Sequence, residues 1–321
     1  MIFVITLPGH EYTLQSFADG TFGCPVPDLR MISYDRILRQ REVPRATYIF
    51  ADIERLSPWE LRLASELYRA LRASGLRCLN NPAVAMARVE LLLALKAAGI
   101  NPFTVWRGDE RPRPPRFPVF VRGEFDHAAP MPQTLSTQRQ LDDALKGLQT
   151  LGIPLRGVLV VEICAKPYSA SLYHKWGTYR IGDRMVVDHI GVESTWFVKY
   201  GDRAKLTDAA IEDERDAVFS NRFAAELMQA FEVGHIEFGR ADHATVGRRQ
   251  VVYEINTNPF LGPYRPDENP RRIETREHAR RQLAAAFAAV DTQDGGLVAI
   301  QPTELLQRIQ SLPAFAMTPR P

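Results

Sequence analysis

The residues best able to do chemistry lie in a strand-like run that ends at a proline, residues 251–259 (VVYEINTNP). In a strand, side chains two residues apart project to the same face, so Glu254, Asn256 and Asn258 are expected to lie side by side, with Tyr253 on the other face. One carboxylate and two carboxamides form an all-oxygen surface, the ligand type that a hard divalent cation such as Mg²⁺ prefers. A polar edge face that binds nothing is the alternative that this run leaves open.

A second strand-like run, residues 235–246, precedes this one, and the turn-like residues 247–250 (GRRQ) connect the two. Two such runs around a short polar loop that contains glycine are typical of a β-hairpin. Folding the chain about this loop brings Asp242 opposite or nearly opposite Glu254. The hairpin would then present Asp242, Glu254 and Asn256 at one point.

The order and spacing of these residues resemble a known signature. Asp242, eleven further residues and then the run EINTNP from Glu254 are similar to the C-terminal metal signature of ATP-grasp enzymes. That superfamily includes glutathione synthetase, D-alanine:D-alanine ligase and the ligases that add glutamate to a ribosomal protein. In it the Asp, the Glu and the first Asn hold Mg²⁺ ions that bridge the nucleotide phosphates. The resemblance therefore implies Asp242, Glu254 and Asn256 as metal ligands, with Glu237 as an alternative to Asp242 because the loop length is uncertain.

Length and composition limit the class of protein. A chain of 321 residues with 45% hydrophobic and 24% charged residues suits a soluble globular protein of two or three lobes. A net charge of +2 gives no electrostatic case for nucleic acid or an anionic membrane as a partner. Three widely spaced cysteines form neither a disulfide framework nor a zinc pattern, which predicts a reducing cytoplasm. The N-terminus does not resemble a signal peptide, and no apolar run is long enough to span a membrane.

The chain begins with a pattern of strand, helix and strand. Residues 2–7, 46–51 and 76–79 read as buried strands, and residues 57–60 (SPWE) form a capping box that starts a helix closed by Gly75. Such an order predicts a right-handed parallel crossover unit. No G-x-G-x-x-G motif follows a strand, which disfavours a dinucleotide-binding fold.

Four further segments connect or surround the site. Residues 8–29 read as a loop, and helices are expected from about residue 83 to residue 98 and, without a break, over 208–232. The proline-containing tail at 291–321 is expected to wrap over the surface or to fray.

The strand at residues 117–122 ends on a cation, Arg122. The resemblance implies that Arg122 takes the place of a lysine that contacts the α- and β-phosphates. Arginine suits this role because it can bind two phosphate oxygens at once. The family's loop of glycines and serines, which covers the phosphates, is replaced by residues 123–130, a stretch with two carboxylates that makes a poor phosphate cradle.

A buried strand over residues 157–163 leads to the linker over which the adenine would lie. The resemblance implies that backbone groups of Glu162, Ile163 and Cys164 read the edge of the base, with Glu162 near its amino group or the ribose. A surface glutamate at a strand end is the alternative. Asn258 is also expected among the cofactor contacts.

Residues 173–187 predict a second hairpin, with its tight turn at Gly182 and two cations, Lys175 and Arg180, on the incoming arm. The resemblance implies that these cations contact the terminal phosphate and the acyl-phosphate that forms, and that they are the catalytic residues. Lys199 is a similar but poorer candidate. A solvated cationic strand face is the alternative.

These elements predict an α/β protein, with α+β character in the grasp lobes. An N-terminal parallel α/β domain, the pre-ATP-grasp domain, would span residues 1–82, and a two-lobed ATP-grasp domain would span residues 83–290. The first lobe would cover about 107–165 and the second, with the metal site, 166–290. Residues 291–321 would form a tail.

The resemblance implies an ATP- and Mg²⁺-dependent ligase, with Mn²⁺ able to replace Mg²⁺. Phosphoryl transfer to a substrate carboxylate would be followed by attack of an amine (or thiol) on the acyl-phosphate. The expected partners are small-molecule or peptide carboxylates and amines, with no nucleic acid and no membrane, and a homodimer is allowed. Two alternatives remain: an ATP-grasp phosphotransferase that acts on a hydroxyl, and a nucleotide-binding module without catalysis, which the loop at 123–130 favours.

Overall fold

The computed structural model describes residues 1–125, 133–169, 171–292 and 295–317, and thirteen strands lie within these ranges. The strands are β1 (Ile2–Thr6), β2 (Leu29–Ser33), β3 (Glu42–Pro44), β4 (Thr47–Phe50), β5 (Arg77–Leu79), β6 (Val105–Arg107), β7 (Val119–Gly123), β8 (Val158–Glu162), β9 (Tyr173–Ile181), β10 (Arg184–Glu193), β11 (Phe238–Val246), β12 (Arg249–Asn256) and β13 (Leu297–Ala299).

The same described ranges contain nine α-helices, together with short 3₁₀ turns. The helices are α1 (Gln15–Ala18), α2 (Tyr34–Ile37), α3 (Pro58–Ala73), α4 (Arg88–Ala97), α5 (Gln138–Thr150), α6 (Asp208–Ser220), α7 (Ala224–Val233), α8 (Pro270–Val290) and α9 (Glu304–Ser311). No helix of the described part of the chain is long and apolar enough to cross a membrane.

The N-terminal sheet is parallel, in the order β2-β1-β4-β5. The three strands predicted around residues 2–7, 46–51 and 76–79 are confirmed as β1, β4 and β5. Helix α3 connects β4 to β5, and its predicted capping box is present. The Ser57 amide donates to Glu60 Oε2 at 2.8 Å, and the Glu60 amide donates to Ser57 Oγ at 3.4 Å.

Two antiparallel sheets follow, one of three strands (β6-β8-β7) and one of four (β10-β9-β11-β12). Helix α4 lies between them and serves both cores, since Val89 and Leu92 pack in the core of the three-stranded sheet while Leu91 and Leu95 pack in the core of the four-stranded sheet. Both predicted hairpins are confirmed, with turns between β9 and β10 and between β11 and β12.

Helix α8 joins the four-stranded sheet to the N-terminal sheet. Leu283 and Phe287 pack in one buried cluster with Ile2 of β1 and Tyr179 of β9. Because they share this cluster, the four-stranded antiparallel sheet and the N-terminal parallel sheet belong to one hydrophobic core. The domain boundaries drawn at residues 82 and 290 stay a prediction.

Two sequence-based expectations about the helices are wrong. The helix expected from residue 83 begins at Arg88, because the amides of Val84 and Ala85 bond to the Asn81 carbonyl and the Met86 amide donates to the Gly234 carbonyl. The single helix expected over 208–232 is two helices, α6 and α7. Asn221 separates them with a left-handed backbone (φ +52°). Its side chain accepts from the Val187 amide at 3.2 Å and donates to the Met185 carbonyl at 2.9 Å, which ties the break to β10.

The segments expected to be irregular also carry structure. Residues 8–29 include α1, and the tail includes β13, which pairs with β3, and α9, which packs on α3. The tail helix contributes Leu306 and Ile309 to the core beneath the N-terminal sheet. Its N-cap is Thr303, whose hydroxyl accepts from the Leu306 amide at 3.4 Å, and this is a signal that the sequence contained.

Two buried asparagines hold the arms of the β11–β12 hairpin. Asn80, fully buried with φ +61°, accepts from the amides of Glu237 and Phe238 at 2.7 and 2.8 Å and donates to the Phe238 and Phe50 carbonyls. Asn101 donates to the Val252 carbonyl at 2.8 Å and accepts from the Val252 amide at 2.9 Å. Each asparagine side chain therefore makes backbone hydrogen bonds, with β11 or with β12, that a neighbouring strand would otherwise make.

We expect Asn80→Ala to lower the free energy of unfolding by about 3 kcal/mol or more, because it leaves buried amide and carbonyl groups of β11 unsatisfied and puts alanine in a left-handed conformation. The measurement is urea unfolding followed by circular dichroism. Asn81→Ala is the matched control, since Asn81 makes one local side-chain bond, to the Ala83 amide, and should cost about 1 kcal/mol or less. Equal losses in the two variants would contradict the role given to Asn80.

Candidate active site

The register of the β11–β12 hairpin places Asp242 directly opposite Glu254, which confirms the predicted pairing. The ladder has a bulge at this point, because Asp242 pairs with Glu254 and His243 pairs with Val252, so that Tyr253 is the extra residue. A bulge turns consecutive side chains to one face. Tyr253 consequently lines the same cavity as Glu254 and Asn256, and the expectation that it points to the other face is wrong.

This cavity has a volume of about 590 Å³ and is bounded by both antiparallel sheets, α8 and the segment after β12. Seven of the residues that line it are Lys or Arg and four are Asp or Glu, which leaves an excess of three positive charges. The cations are Arg88, Arg122, Lys175, Lys199, Arg240, Arg276 and Arg280, and the carboxylates are Glu162, Asp188, Asp242 and Glu254. Such a surplus favours an anionic ligand.

One part of the cavity is apolar and aromatic. Phe120 lies 4.9 Å from Trp196, Phe103 lies 6.4 Å from Tyr253 (ring centroids), and Ile163 and Cys164 at the end of β8 complete this wall. Burial raises the pKa of the Cys164 thiol to about 12, so this cysteine is protonated and is not a nucleophile near neutral pH. A flat aromatic ring fits these surroundings.

Glu162 lies at the edge of the apolar part with its carboxylate already bound. It accepts from the Thr104 amide at 3.0 Å and from Arg116 Nη2 at 2.9 Å. The Ile163 amide donates to the Pro118 carbonyl at 3.0 Å. The three linker residues predicted to read an adenine edge therefore border the cavity, and their role stays a prediction.

The other part of the cavity holds the paired carboxylates among cations. Asp242 lies 2.8 Å from Lys175 Nζ and 3.4 Å from Arg240 Nη2, and Glu254 lies 2.5 Å from Arg88 Nη2 and 3.7 Å from Arg122 Nη2. Burial alone would raise the pKa of the Asp242 carboxyl, but Arg240 and Lys175 outweigh it and hold that pKa below its usual value. Asp242 is therefore ionised at neutral pH.

The donor set at the hairpin fits a magnesium–nucleotide complex. Asp242, Glu254 and Asn256 offer carboxylate and amide oxygens, and Mg²⁺ is commonly bound by one or two carboxylates together with substrate phosphates. No group of three or more His, Cys, Asp or Glu that could hold a metal by itself occurs in the described part of the chain. The remaining ligands would have to come from a nucleotide. That the three residues bind metal stays a prediction.

Three other predicted residues lie outside the cavity. Arg180 is five residues from Lys175 on β9 and so projects from the opposite face, where it donates to the Gly182 and Ile236 carbonyls at 2.9 and 3.0 Å. Asn258 lies beyond the end of β12, where its backbone amide donates to Asn256 Oδ1 at 2.8 Å and its side chain is directed to the N-terminal part of the chain. It accepts from Thr13 Oγ1 at 2.7 Å and donates to Asp52 Oδ2 at 3.1 Å. Glu237, the alternative metal ligand, accepts from the Asn80 amide at 3.1 Å.

The predicted cations Arg122, Lys175 and Lys199 do line the cavity. Of the unusual loop at 123–130, residues 126–130 lie outside the described residues. Its Glu124 is buried and bonds to Arg107 Nη1 at 2.6 Å, so this carboxylate is turned away from the cavity.

Four cations of the cavity were not predicted from the sequence: Arg88, Arg240, Arg276 and Arg280. Arg240 precedes Asp242 by two residues on one strand, so the face rule could have found it. Its guanidinium lies above Gly177 of β9, where a Cβ would come within 2.4 Å of Arg240 Nε. Arg88 comes from the start of α4, and no local pattern signals that this helix points at the hairpin.

Comparison with known proteins shows the fold. No protein-family model matches the sequence, and no curated protein matches it. Among solved structures, a D-alanine–D-alanine ligase from Bacillus anthracis, complexed with ATP, matches with a TM-score of 0.50 at 11% identity, over 90% of this chain and 95% of that chain. The chain therefore has the ATP-grasp fold, and the predicted fold class is confirmed.

Two further structures are similar over 90% of this chain. A D-alanine–D-alanine ligase from Aeromonas hydrophila matches at 15% identity over 98% of its length, with a TM-score of 0.49. A RimK domain ATP-grasp protein from Sphaerobacter thermophilus matches at 16% identity over 100% of its length, with a TM-score of 0.42. The fold assignment depends on the first structure alone.

We expect Gly177→Ala to weaken binding of inorganic triphosphate by about tenfold, because the new methyl group displaces the Arg240 guanidinium from the cavity. Isothermal titration calorimetry measures the affinity. Gly157→Ala is the control, since a Cβ there meets no atom within 4 Å, and it should bind like the unchanged protein. An unaltered affinity in Gly177→Ala would show that Arg240 does not contact the anion.

We expect His174 to make the fold less stable in acid. Burial lowers the pKa of His174 from 6.5 to about 4, so between these values the unfolded chain binds a proton that the folded chain does not. The stabilising contribution is thus complete above pH 6.5 and is lost as the pH falls toward 4, with a slope of up to about 1.4 kcal/mol per pH unit.

Urea unfolding at several pH values measures this slope, which should become shallower in His174→Gln. His278→Gln changes a half-buried imidazole on α8 and should alter the slope less. A slope that His174→Gln leaves unchanged would contradict the assignment.

Proposed function

We propose that this chain is an ATP- and Mg²⁺-dependent ligase that joins a carboxylate to an amine (or a thiol) through an acyl-phosphate. One observation carries the proposal. In a chain with the ATP-grasp fold, the register-paired carboxylates Asp242 and Glu254 lie with Asn256 where the apolar part of a single cavity meets its cationic part.

The nucleotide would lie with its base in the apolar part and its phosphates toward the hairpin. Ile163, Phe120 and Tyr253 offer apolar surface for a purine ring. Arg122 and Lys175, which line the cavity beside Glu254 and Asp242, suit the phosphate oxygens, since a guanidinium binds two oxygens at once and an ammonium acts as a compact charge.

Asp242, Glu254 and Asn256 would hold Mg²⁺, or Mn²⁺ in its place. The bound ion would neutralise charge on the phosphates and orient the terminal one. Around it, Lys175 and Arg88 keep the two carboxylates in position by ion pairing.

The carboxylate to be activated would lie beyond Asp242, next to Arg240. The Nε of Arg240 is buried and has no hydrogen-bond partner among the described residues, so this guanidinium keeps a donor for a ligand. Burial alone would lower the pKa of the Arg240 guanidinium, but Asp242 and the other nearby anions outweigh burial and raise that pKa, so the group stays charged. Arg240 would therefore hold the carboxylate and then stabilise charge on the acyl-phosphate. The resemblance implied this role for Arg180, which lies on the opposite face of β9.

Positioning and charge compensation would supply the catalysis, because this reaction needs no nucleophilic side chain. The protonated state of Cys164, the thiol that borders the cavity, agrees with this.

A second candidate is a nucleotide-binding module without catalysis. The observation in its favour is that Asp242 and Glu254 each lie within 4 Å of two cations, as four ion pairs record. If these pairs persist when nucleotide binds, the cations would exclude the metal.

Calorimetric titration with ATP separates the two candidates. We expect ATP to bind tightly with Mg²⁺ and at least tenfold more weakly without it, and the double variant Glu254→Gln with Asn256→Ala to lose this difference, because one metal ligand loses its negative charge and a second is removed. Glu237→Gln is the control and should keep the Mg²⁺ dependence, since Glu237 lies at Asn80 and not in the cavity.

Release of ADP on addition of carboxylates and amines then tests the ligase. Binding that ignores Mg²⁺, together with no ADP release from any acceptor mixture, would support the module. Failure of the unchanged protein to bind ATP at all would refute both candidates.

A further inference from the structure

A second bulge faces the cavity, in β10. Val187 pairs with Thr178 and His189 pairs with Gly177, so Asp188 is the extra residue. Without a bulge, neighbouring residues of a strand project to opposite faces. Here Asp188 and His189 both line the cavity, while Val187 and Ile190 on either side of them pack in the core on the other face of the sheet.

The two side chains make an oriented pair. His189 Nδ1 lies 2.5 Å from Asp188 Oδ2, and Asp188 Oδ1 accepts from Arg276 Nη1 at 2.9 Å. A carboxylate beside Nδ1 fixes the proton on that nitrogen and leaves the lone pair of Nε2 available. This is the arrangement by which a carboxylate prepares a histidine to accept a proton.

His189 also lies at a boundary between two spaces. It lines the main cavity and a smaller one of about 90 Å³ on the other side, and its side chain is 30% exposed. His189 pairs with Gly177 of β9, and Gly177 pairs in turn with Asp242 of β11. His189 therefore lies near the charged part of the cavity.

We propose that His189, oriented by Asp188, is the general base that takes a proton from the attacking amine. This inference rests on the proposed ligase function and adds to it the residue that activates the acceptor. The acceptor is accordingly a primary or secondary amine that enters beside His189, on the Arg240 side of the paired carboxylates.

Formation of the amide conserves atoms and electrons. The acceptor enters as an ammonium ion and gives one proton to Nε2 of His189. The neutral amine nitrogen then forms a bond to the acyl carbon of the acyl-phosphate, and its second proton passes to the departing phosphate as the amide forms. The bond from the acyl carbon to the bridging oxygen breaks, and its electron pair leaves with inorganic phosphate. The imidazolium then gives its proton to solvent, so no oxidant or reductant takes part.

Burial is the main reason why His189 is neutral before the reaction. Burial lowers the pKa of His189, Asp188 raises it, and Arg276 and Arg240 lower it again, with a net fall from 6.5. A general base must be unprotonated at the working pH, and a histidine whose pKa lies below 6.5 is unprotonated at neutral pH. The charges that shift its pKa are Asp188, Arg276 and Arg240, and the smaller cavity adds Tyr200, Asp202, Arg203, Asp267 and Arg272 to the titratable groups beside it.

A purely structural role for the Asp188–His189 pair is the alternative, because the ion pair between Arg276 and Asp188 also joins α8 to β10. The structural role and the role of general base differ in what they require of the imidazole ring. A structural pair tolerates a charged ring as well as a neutral one, whereas a base needs a neutral ring with the lone pair of Nε2 available.

Long-range ¹H–¹⁵N NMR of the histidine rings in the full chain makes the first test. His189→Gln assigns the His189 signal. We expect a neutral ring at pH 7.5 with the proton on Nδ1, a mixture of tautomers in Asp188→Asn, and no change of tautomer in Arg276→Gln, which breaks the same ion pair but leaves Asp188 beside the ring. A cationic His189 at pH 7.5, or a proton on Nε2, would overturn the proposal.

ADP release makes the second test, with the twenty common L-amino acids as probe carboxylates and amines, and with hydroxylamine added as an acceptor that is unprotonated at neutral pH and needs no base. His189→Gln should slow the amine-dependent rate by about a hundredfold or more and leave the hydroxylamine-dependent rate within about twofold. An equal loss in both rates, or no loss in either, would refute the role of His189.

The two tests also separate this inference from the proposed function. If the unchanged protein binds no ATP and releases no ADP with either acceptor, the ligase proposal fails, and the general base fails with it whatever the NMR result. If ADP release depends on Mg²⁺ and acceptor but is insensitive to His189→Gln, only the general base is refuted.

Discussion

The geometry of the site depends on the fixed register of one hairpin, β11–β12, and buried side-chain amides hold that register. Asn80 binds the start of β11, and Asn101 binds both backbone groups of Val252 on the outer edge of β12. A slip of one residue would turn Glu254 to the opposite face and would leave both amides without their partners. The cost of these unmade hydrogen bonds therefore keeps Asp242 opposite Glu254.

The same constraint connects the N-terminal sheet to the site. Beyond β12, the Thr257 hydroxyl bonds to Glu54 at 2.5 Å and the Asn258 amide bonds to Asp52 at 3.1 Å, both on fully or nearly fully buried acids at the end of β4. Two bulges, at Tyr253 and Asp188, then turn pairs of adjacent side chains into one cavity. A regular sheet could offer only alternate residues of each strand, so the bulges increase the number of functional groups that one face presents.

Much of the hairpin could be predicted from the sequence because its interactions are local. The pairing of Asp242 with Glu254 follows from two strand patterns and a short loop. Two of the cavity cations were also predicted, Lys175 on the adjacent strand β9 and Arg122 on β7 of the other antiparallel sheet. Arg180 was assigned to the site although its odd spacing from Lys175 places it on the other face. The direction of Asn258 and the contact of Arg88 depend on elements that are distant in sequence, and alternation along a strand contains no information about them.

The charges at the hairpin bear on how a ligand would enter under the proposed function. Arg88, Arg122, Lys175 and Arg240 surround Asp242 and Glu254, so four positive charges meet two negative ones within the distances of the ion pairs. A bare Mg²⁺ would approach a cluster that is already positive, and a bare polyphosphate would meet two carboxylates. The magnesium–nucleotide complex avoids both costs, because its phosphates can take over the cations while its metal takes the carboxylates. The arrangement therefore favours joint binding of the two over binding of either one alone.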